Sequence, residues 1–490
     1  MAIFQASMLP LFSFLLLQVH VFMAYAARSS SFGEAMERQR NHHYHVVAVD
    51  TFLLPRKVCS DSFAKDVRRS PQVPLLPISH RYAPCSPSAF TNLTHFLLQD
   101  QSRVLSIHHK ISNKGNTPLY DSSQEQLPAT SGDSLGTRNY IVTVGLGTPK
   151  HDYSLAFDTG SDLTWVQCEP CSSPGSCHSQ QQPLLDPSKS SSYSNIPCNS
   201  PECSQTRSHD SNSPCSSSSA CTYLVSYGDG SYTRGVLARE TLTLSPNNVL
   251  PSFLFGCGND NQGLFGETAG LLGLGRDPES LVSQSSSKFG QVFSYCLPSS
   301  KSSTGYLALG REGSASETSV SYTPLIKDER RPSFYFVNLV DISVGGQRLS
   351  ISPSVFETST GTIIDSGTVI TRLPPSAYAS LRDAFKGLMS RYPPAEGDSL
   401  LDTCYDLSGE ASTSNVEVPK IVLNFENGVD VVVDESGTLI GESVSRLCLA
   451  FAGNKDERKI GIIGNRQQVT YEVVYDVGGE KIGFGPGGCN

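Results

Sequence analysis

The sequence is poor in the residues that many chemistries need. Only 17% of its 490 residues are charged, one is tryptophan and five are methionine. Residues 135–490 hold just three histidines, His151, His178 and His209. Two of these fall in a cysteine-crowded stretch, so a serine–histidine hydrolase site is poorly supplied. After the first 30 residues no run is long and apolar enough to span a bilayer, so no membrane partner is expected. A basic stripe is also missing. Residues 27–134 carry 12 Lys/Arg against 9 Asp/Glu, or +3, while residues 135–490 carry 25 against 37, or −12. An acidic body excludes nucleic acid as the main partner, and the mildly basic leader is able to dock on it electrostatically. The run "GLLGLG" at 270–275 looks superficially like a nucleotide loop, but no βαβ pattern surrounds it.

Glycine and proline are abundant, at 41 and 30 residues. They punctuate short β-rich runs every eight to twelve residues from about Asn139 onward, as in "YIVTVGLGTP" and "CTYLVSYGDGS". The length exceeds one ordinary core and implies at least two domains. One helix is expected at 374–389, "PPSAYASLRDAFKGLM", with proline at its opening. Another is expected at about 91–111, where apolar residues recur at helical spacing.

The first 26 residues read as a secretory signal cut near Ala26 or Ala27, although the positive n-region is missing. Residues 27–134, polar and rich in Ser, Pro and His, read as a removable propeptide. Of 14 cysteines, Cys59 and Cys85 lie in that leader and twelve in the body, an even number that fits disulfides in an oxidising compartment. Seven crowd into 168–221: Cys168, Cys171, Cys177, Cys198, Cys203, Cys215 and Cys221. Cys168-x2-Cys171 has zinc-ligand spacing, but no second pair completes it, so a stapled insert is expected and no metal or cofactor. The only Asn-x-Ser/Thr site is Asn92-Leu93-Thr94, in the leader, so a mature form would carry no N-glycan.

An internal repeat carries the chemistry. "LAFDTGSDLTW" at 155–165 is echoed by "TIIDSGTVITRL" at 362–373, and each is followed by a hydrophobic-hydrophobic-Gly turn, "LLGLG" at 271–275 and "IIGN" at 462–465. Asp158 and Asp365 lie 207 residues apart, about one domain each. Matched contexts place two carboxylates face to face across a pseudo-twofold axis. Such a pair cannot ionise fully, shares one proton, and is able to activate water while polarising a carbonyl. Gly160 and Gly367 let main-chain amides approach. The hydroxyls of Thr159, Ser161, Ser366 and Thr368 are suited to orient the carboxylates.

These motifs resemble the pepsin-like aspartic proteases over residues 135–490, and more closely their plant nepenthesin-type branch. The resemblance implies an all-β bilobal fold, with an N-terminal lobe at 135–320, insert included at about 168–221, and a C-terminal lobe at 321–490. It implies an aspartic endopeptidase made as a zymogen, working on protein or peptide substrates at acidic pH as a monomer, with its own propeptide as a partner. Asp158 and Asp365 become the dyad, and Trp165 a site-lining aromatic. Tyr227, Gly228, Asp229 and Gly230 of "YGDGS" become the flap. The implied pairs are Cys168–Cys171, Cys177–Cys257, Cys198–Cys221, Cys203–Cys215, Cys296–Cys489 and Cys404–Cys448. The second motif reads DSGT where the family has DTGT, with Ser366 keeping the hydroxyl. The leader motif "HRYAPCSP" at 80–87 resembles a subgroup that includes chloroplast nucleoid DNA-binding and apoplastic members. The expected destination is the apoplast, with vacuole or chloroplast as alternatives. The alternative function is a catalytically inactive binding protein or glycosidase inhibitor on the same scaffold.

Overall fold

The computed structural model describes residues 43–47, 74–80, 93–112 and, apart from short breaks, 140–489. The proposed signal, Cys59, Cys85, Asn92, the expected junction between propeptide and N-terminal lobe at 134–135, His209, Gly228 and Asp229 lie outside the described residues.

Strands dominate, and the sheet architecture is that of a pepsin-like fold, with two similar halves. In the first half, Tyr140–Leu146 pairs antiparallel with His151–Asp158. The end of the latter runs parallel to Gly270–Gly273, with Gly273 opposite Asp158. In the second half, Thr362–Ile364 runs parallel to Ile462–Ile463, with Ile364 opposite Ile463. Each aspartate therefore follows a buried strand whose parallel neighbour is the hydrophobic-hydrophobic-Gly repeat. Period-two side chains bury both faces of these central strands, which is why they read as continuous apolar runs such as "TII" and "GLLG".

A central sheet joins the halves. Val292–Cys296 pairs antiparallel with Gly305–Leu309 on one side and with Glu472–Asp476 on the other. Glu472–Asp476 then pairs with Lys481–Gly485. Aromatic packing underlies the junction. Phe293 stacks on Tyr475 with centroids 4.4 Å apart, and the Tyr295 and Tyr475 hydroxyls lie 2.8 Å apart.

The chain before Tyr140 is built into this body. Leu75–His80 is hydrogen-bonded on both edges, to Gly305–Leu309 and to Tyr140–Leu146. Tyr44–Val47 pairs with Val416–Pro419. The helix expected at about 91–111 spans Leu93–Ser112. Its buried Leu93, Phe96 and Leu97 pack with Val369, Ile370 and Ile440. About two to four turns on, Val104, Ile107 and Ile111 pack with Phe334, Phe336, Ile363 and Ile462. The helix expected at 374–389 spans Pro375–Leu388 and buries Ala377, Tyr378, Leu381 and Phe385, one face at helical spacing.

Six disulfides use the twelve body cysteines. Cys296–Cys489 and Cys404–Cys448 match the pairs implied by the resemblance. The other four differ: Cys168–Cys257, Cys171–Cys177, Cys198–Cys215 and Cys203–Cys221. Sheet register explains the first. Trp165–Gln167 runs parallel to Asn248–Gln262, and the Cys168 amide donates to the Gly258 carbonyl. This brings the Cα atoms of Cys168 and Cys257 to 5.4 Å, a normal bridging distance. Cys171 then closes a small loop onto Cys177. Both members of the CxxC pair are thus consumed by separate disulfides, not by a metal.

A non-reducing proteolytic map should recover Cys168 linked to Cys257 and Cys171 linked to Cys177. Replacing both Cys168 and Cys257 by Ala should lower stability by about 2–5 kcal/mol in a denaturant titration.

Candidate active site

The two DxG turns meet back to back. The Thr159 amide donates to the Ser366 hydroxyl at 3.1 Å, and the Ser366 amide donates to the Thr159 hydroxyl at 2.9 Å. This reciprocal clasp fixes the two loops against each other. It also shows why serine serves in DSGT: the clasp needs an oxygen at that position, not a methyl group.

Asp158 and Asp365 are both fully buried. The Gly160 amide donates to Asp158 Oδ1 at 3.0 Å, and Ser161 Oγ donates to Asp158 Oδ2 at 2.8 Å. The second loop repeats the pattern: the Gly367 amide donates to Asp365 Oδ1 at 3.3 Å, and Thr368 Oγ1 to Asp365 Oδ2 at 2.6 Å. Glycine is required because a Cβ at Gly160 would sit 2.8 Å from Asp365 Oδ1, and one at Gly367 would sit 2.6 Å from Asp158 Oδ1. The repeat turns buttress each loop from behind. The Leu274 amide donates to the Asp158 carbonyl at 2.9 Å, and the Asn465 amide to the Thr368 carbonyl at 2.7 Å. Beside the first loop, Asp162 accepts the Asp277 amide at 2.9 Å. Burial, and then the nearby Asp277 charge, push its carboxyl up to about 7.

Tyr227 sits at the end of a hairpin. Thr222–Ser226 and Tyr232–Ser245 are its two strands, and Gly230 near the turn takes a φ of 80°, which favours glycine. Trp165 Nε1 donates to the Tyr227 hydroxyl at 2.8 Å. Phe265, which nothing in the motif spacing singles out, packs edge-on to both rings, at 4.8 Å from Trp165 and 5.7 Å from Tyr227.

The residue that sequence reasoning misses altogether is Arg103. It projects from the helix Leu93–Ser112 between the two carboxylates. Its Nη2 lies 2.6 Å from Asp158 Oδ1 and 2.9 Å from Asp365 Oδ2, and its Nε donates to Asp365 Oδ2 at 3.0 Å. Burial opposes the guanidinium charge, but the two carboxylates more than offset it and hold Arg103 protonated at any ordinary pH. For Asp365 burial is the largest influence and raises its pKa. Arg103 pulls it down, Asp158 pushes it up, and the net shift is upward. One turn earlier, Asp100 makes a second anchor. It accepts the amides of Val369 at 2.6 Å and Ile370 at 3.1 Å, and pairs with Arg372 at 3.0 Å, both side chains being buried. An apolar periodicity reveals such a helix but not which polar side chain meets the site.

Residues 140–311 match the family model described as xylanase inhibitor N-terminal, and residues 334–486 match the one described as xylanase inhibitor C-terminal. An aspartyl protease family protein of Arabidopsis thaliana is 46% identical over 92% of this chain and 94% of its own length. The chain belongs to the plant pepsin-like aspartic proteases. Nepenthesin-2 of Nepenthes gracilis is 39% identical to this aspartic protease family member over 76% of the chain and 82% of nepenthesin-2. Solved structures share the fold at lower identity. The soybean basic 7S globulin aligns with a TM-score of 0.56 at 22% identity, covering 71% of this chain and 92% of the globulin.

In this family member the clasp should be separable from the carboxylates. Ser366→Ala leaves the Thr159 amide buried without its acceptor and should cost about 1–3 kcal/mol. Ser366→Thr restores the oxygen and should melt close to the parent; differential scanning calorimetry of the pair makes the comparison.

Proposed function

We propose that the chain is the zymogen of a secreted aspartic endopeptidase that hydrolyses peptide bonds in acid. The observation that carries this reading is the Arg103 guanidinium, delivered by a helix that precedes the body in sequence and bonded to both carboxylates of the matched loops. A buried cation there offsets the repulsion that otherwise forces a proton onto the pair.

With the leader gone, a shared proton takes over that role. The ionised carboxylate accepts a proton from a water molecule as the water oxygen bonds to the peptide carbonyl carbon. The other carboxyl donates its proton to the carbonyl oxygen, giving a neutral tetrahedral diol. Return of a proton to the amide nitrogen breaks the C–N bond and leaves a carboxylic acid and an amine. Ser161, Thr368 and the amides of Gly160 and Gly367 hold the carboxylates in place through this exchange. Tyr227, tethered to Trp165, closes over the substrate and excludes water.

Acid also loosens the leader. Arg103 keeps its charge, so the carboxylates must take up the proton, and that proton competes with Arg103. His108 adds a second device. Its ring donates to the Ile460 carbonyl at 2.9 Å. Burial, reinforced by Lys459 and Arg372 and opposed by that hydrogen bond, pushes it down from 6.5 to about 4. A histidine depressed on docking favours the docked state fully above its free pKa. That contribution fades as pH falls from 6.5 to about 4.

A second reading, a protein-binding scaffold without turnover, draws on the description of the two matched family models as xylanase inhibitor halves. Activity separates the two. Cleavage of a denatured protein by the processed chain should peak in acid, and Asp158→Asn should lower kcat by about 10²–10⁴-fold or more; undiminished turnover in that variant removes the dyad mechanism. In the full chain, Arg103→Gln should weaken leader docking by about 3–5 kcal/mol and give cleavage without an acid step. His108→Gln keeps a donor for the Ile460 carbonyl but not the titration, so the midpoint of acid activation should move to lower pH.

A further inference from the structure

Arg372 is a large cation at 1% exposure, and its ion-pair partner, Asp100, belongs to the leader helix. Its Nη1 donates to the Ile370 carbonyl at 2.7 Å, and its Nη2 also reaches Gln101 Oε1 at 3.4 Å. Its Nε is buried without a hydrogen-bond partner among the described residues. The carboxylate of Asp100 therefore occupies a ready-made cradle in the body, formed by the Val369 amide, the Ile370 amide and the Arg372 guanidinium. All three donors belong to the stretch that follows Asp365 and leads into the strand Thr371–Leu373.

When the leader leaves, the cradle loses its carboxylate and the Arg372 guanidinium loses the counter-ion it has here, although the body around it is acidic overall. A guanidinium and two amides already converging on one carboxylate position favour a ligand that brings a carboxylate back. Building on the protease reading above, we propose that Arg372, with the Val369 and Ile370 amides, forms a subsite that selects an acidic side chain in the substrate, and that Asp100 holds this place in the zymogen. Asp100 precedes Arg103 by three helical residues, about 4.5 Å along the axis. An extended peptide advances about 3.3 Å per residue, so the selected side chain lies one to two residues from the bond that is cut.

The test uses the processed protein and peptides in which Glu or Gln is placed at each of three positions on either side of a cleavable bond. At about pH 5.5 the free glutamate is mostly ionised. The parent enzyme should favour Glu over Gln in kcat/KM by about tenfold or more at one position, the range for a hydrogen bond to a charged group. The preference should fade below about pH 4, where Glu is protonated. Arg372→Gln should bring the ratio close to one, and Arg372→Lys should keep part of it; a ratio is insensitive to the fraction of variant that folds. The same peptides are titrated into the processed Asp158→Asn protein by calorimetry, which needs no turnover. Cleavage without Glu/Gln discrimination at any position, or discrimination that survives Arg372→Gln, overturns the subsite and leaves the protease reading standing. Arg372-dependent binding of Glu peptides with no cleavage by the parent protein supports the subsite and overturns the protease reading.

Discussion

Two carboxylates buried in one site govern the rest of this structure. Taken out of water and set against each other, they are not stable as a pair of anions without compensation. Each receives an amide from the glycine two residues on and a hydroxyl from the residue after it. Those donors are in place only because the loops are clasped through Thr159 and Ser366 and buttressed by the turns after Gly270–Gly273 and Ile462–Ile463. What the loops do not supply is positive charge. Arg103 supplies it here, and in the proposed active form a proton does.

The segment before Tyr140 is consequently more than a cover. It contributes a strand hydrogen-bonded on both edges and a helix whose apolar face packs under the second half of the body. Its polar contacts are matched to the groups they meet: a cation for the paired aspartates, and a carboxylate for the Val369–Arg372 cradle. His108 faces a carbonyl rather than an acid, so burial lowers its pKa instead of raising it. The helix is held by polar contacts at several points along its length, and in the proposed zymogen those of Arg103 and His108 couple its release to acid.

Much of this is legible in the sequence because it repeats. The two Asp-x-Gly motifs, their hydroxyl-bearing neighbours and the two hydrophobic-hydrophobic-Gly turns occupy equivalent strands in the two halves. Tyr227 and Trp165, separated by 62 residues, do meet, but the third ring, Phe265, has no motif to announce it. The helix Leu93–Ser112 is visible from its apolar spacing, yet Asp100 and Arg103 look like ordinary solvent-facing charges on its polar side. Nothing local distinguishes them. The cysteine partners fail for a related reason: Cys168 pairs with Cys257 because two distant strands run parallel in a particular register, and register is a property of the sheet.

Composition, periodicity and the internal repeat determined by themselves the all-β class, the two similar halves, the pair of aspartates and the helix before them. The tertiary structure alone decided which cation faces that pair, which carboxylate meets Arg372, and which cysteines bridge. The division has one physical cause. Strand and turn propensities and apolar periodicity are set by neighbours along the chain. The partner of a buried charge or thiol is set by whatever the folded chain brings within a few ångströms, often from hundreds of residues away.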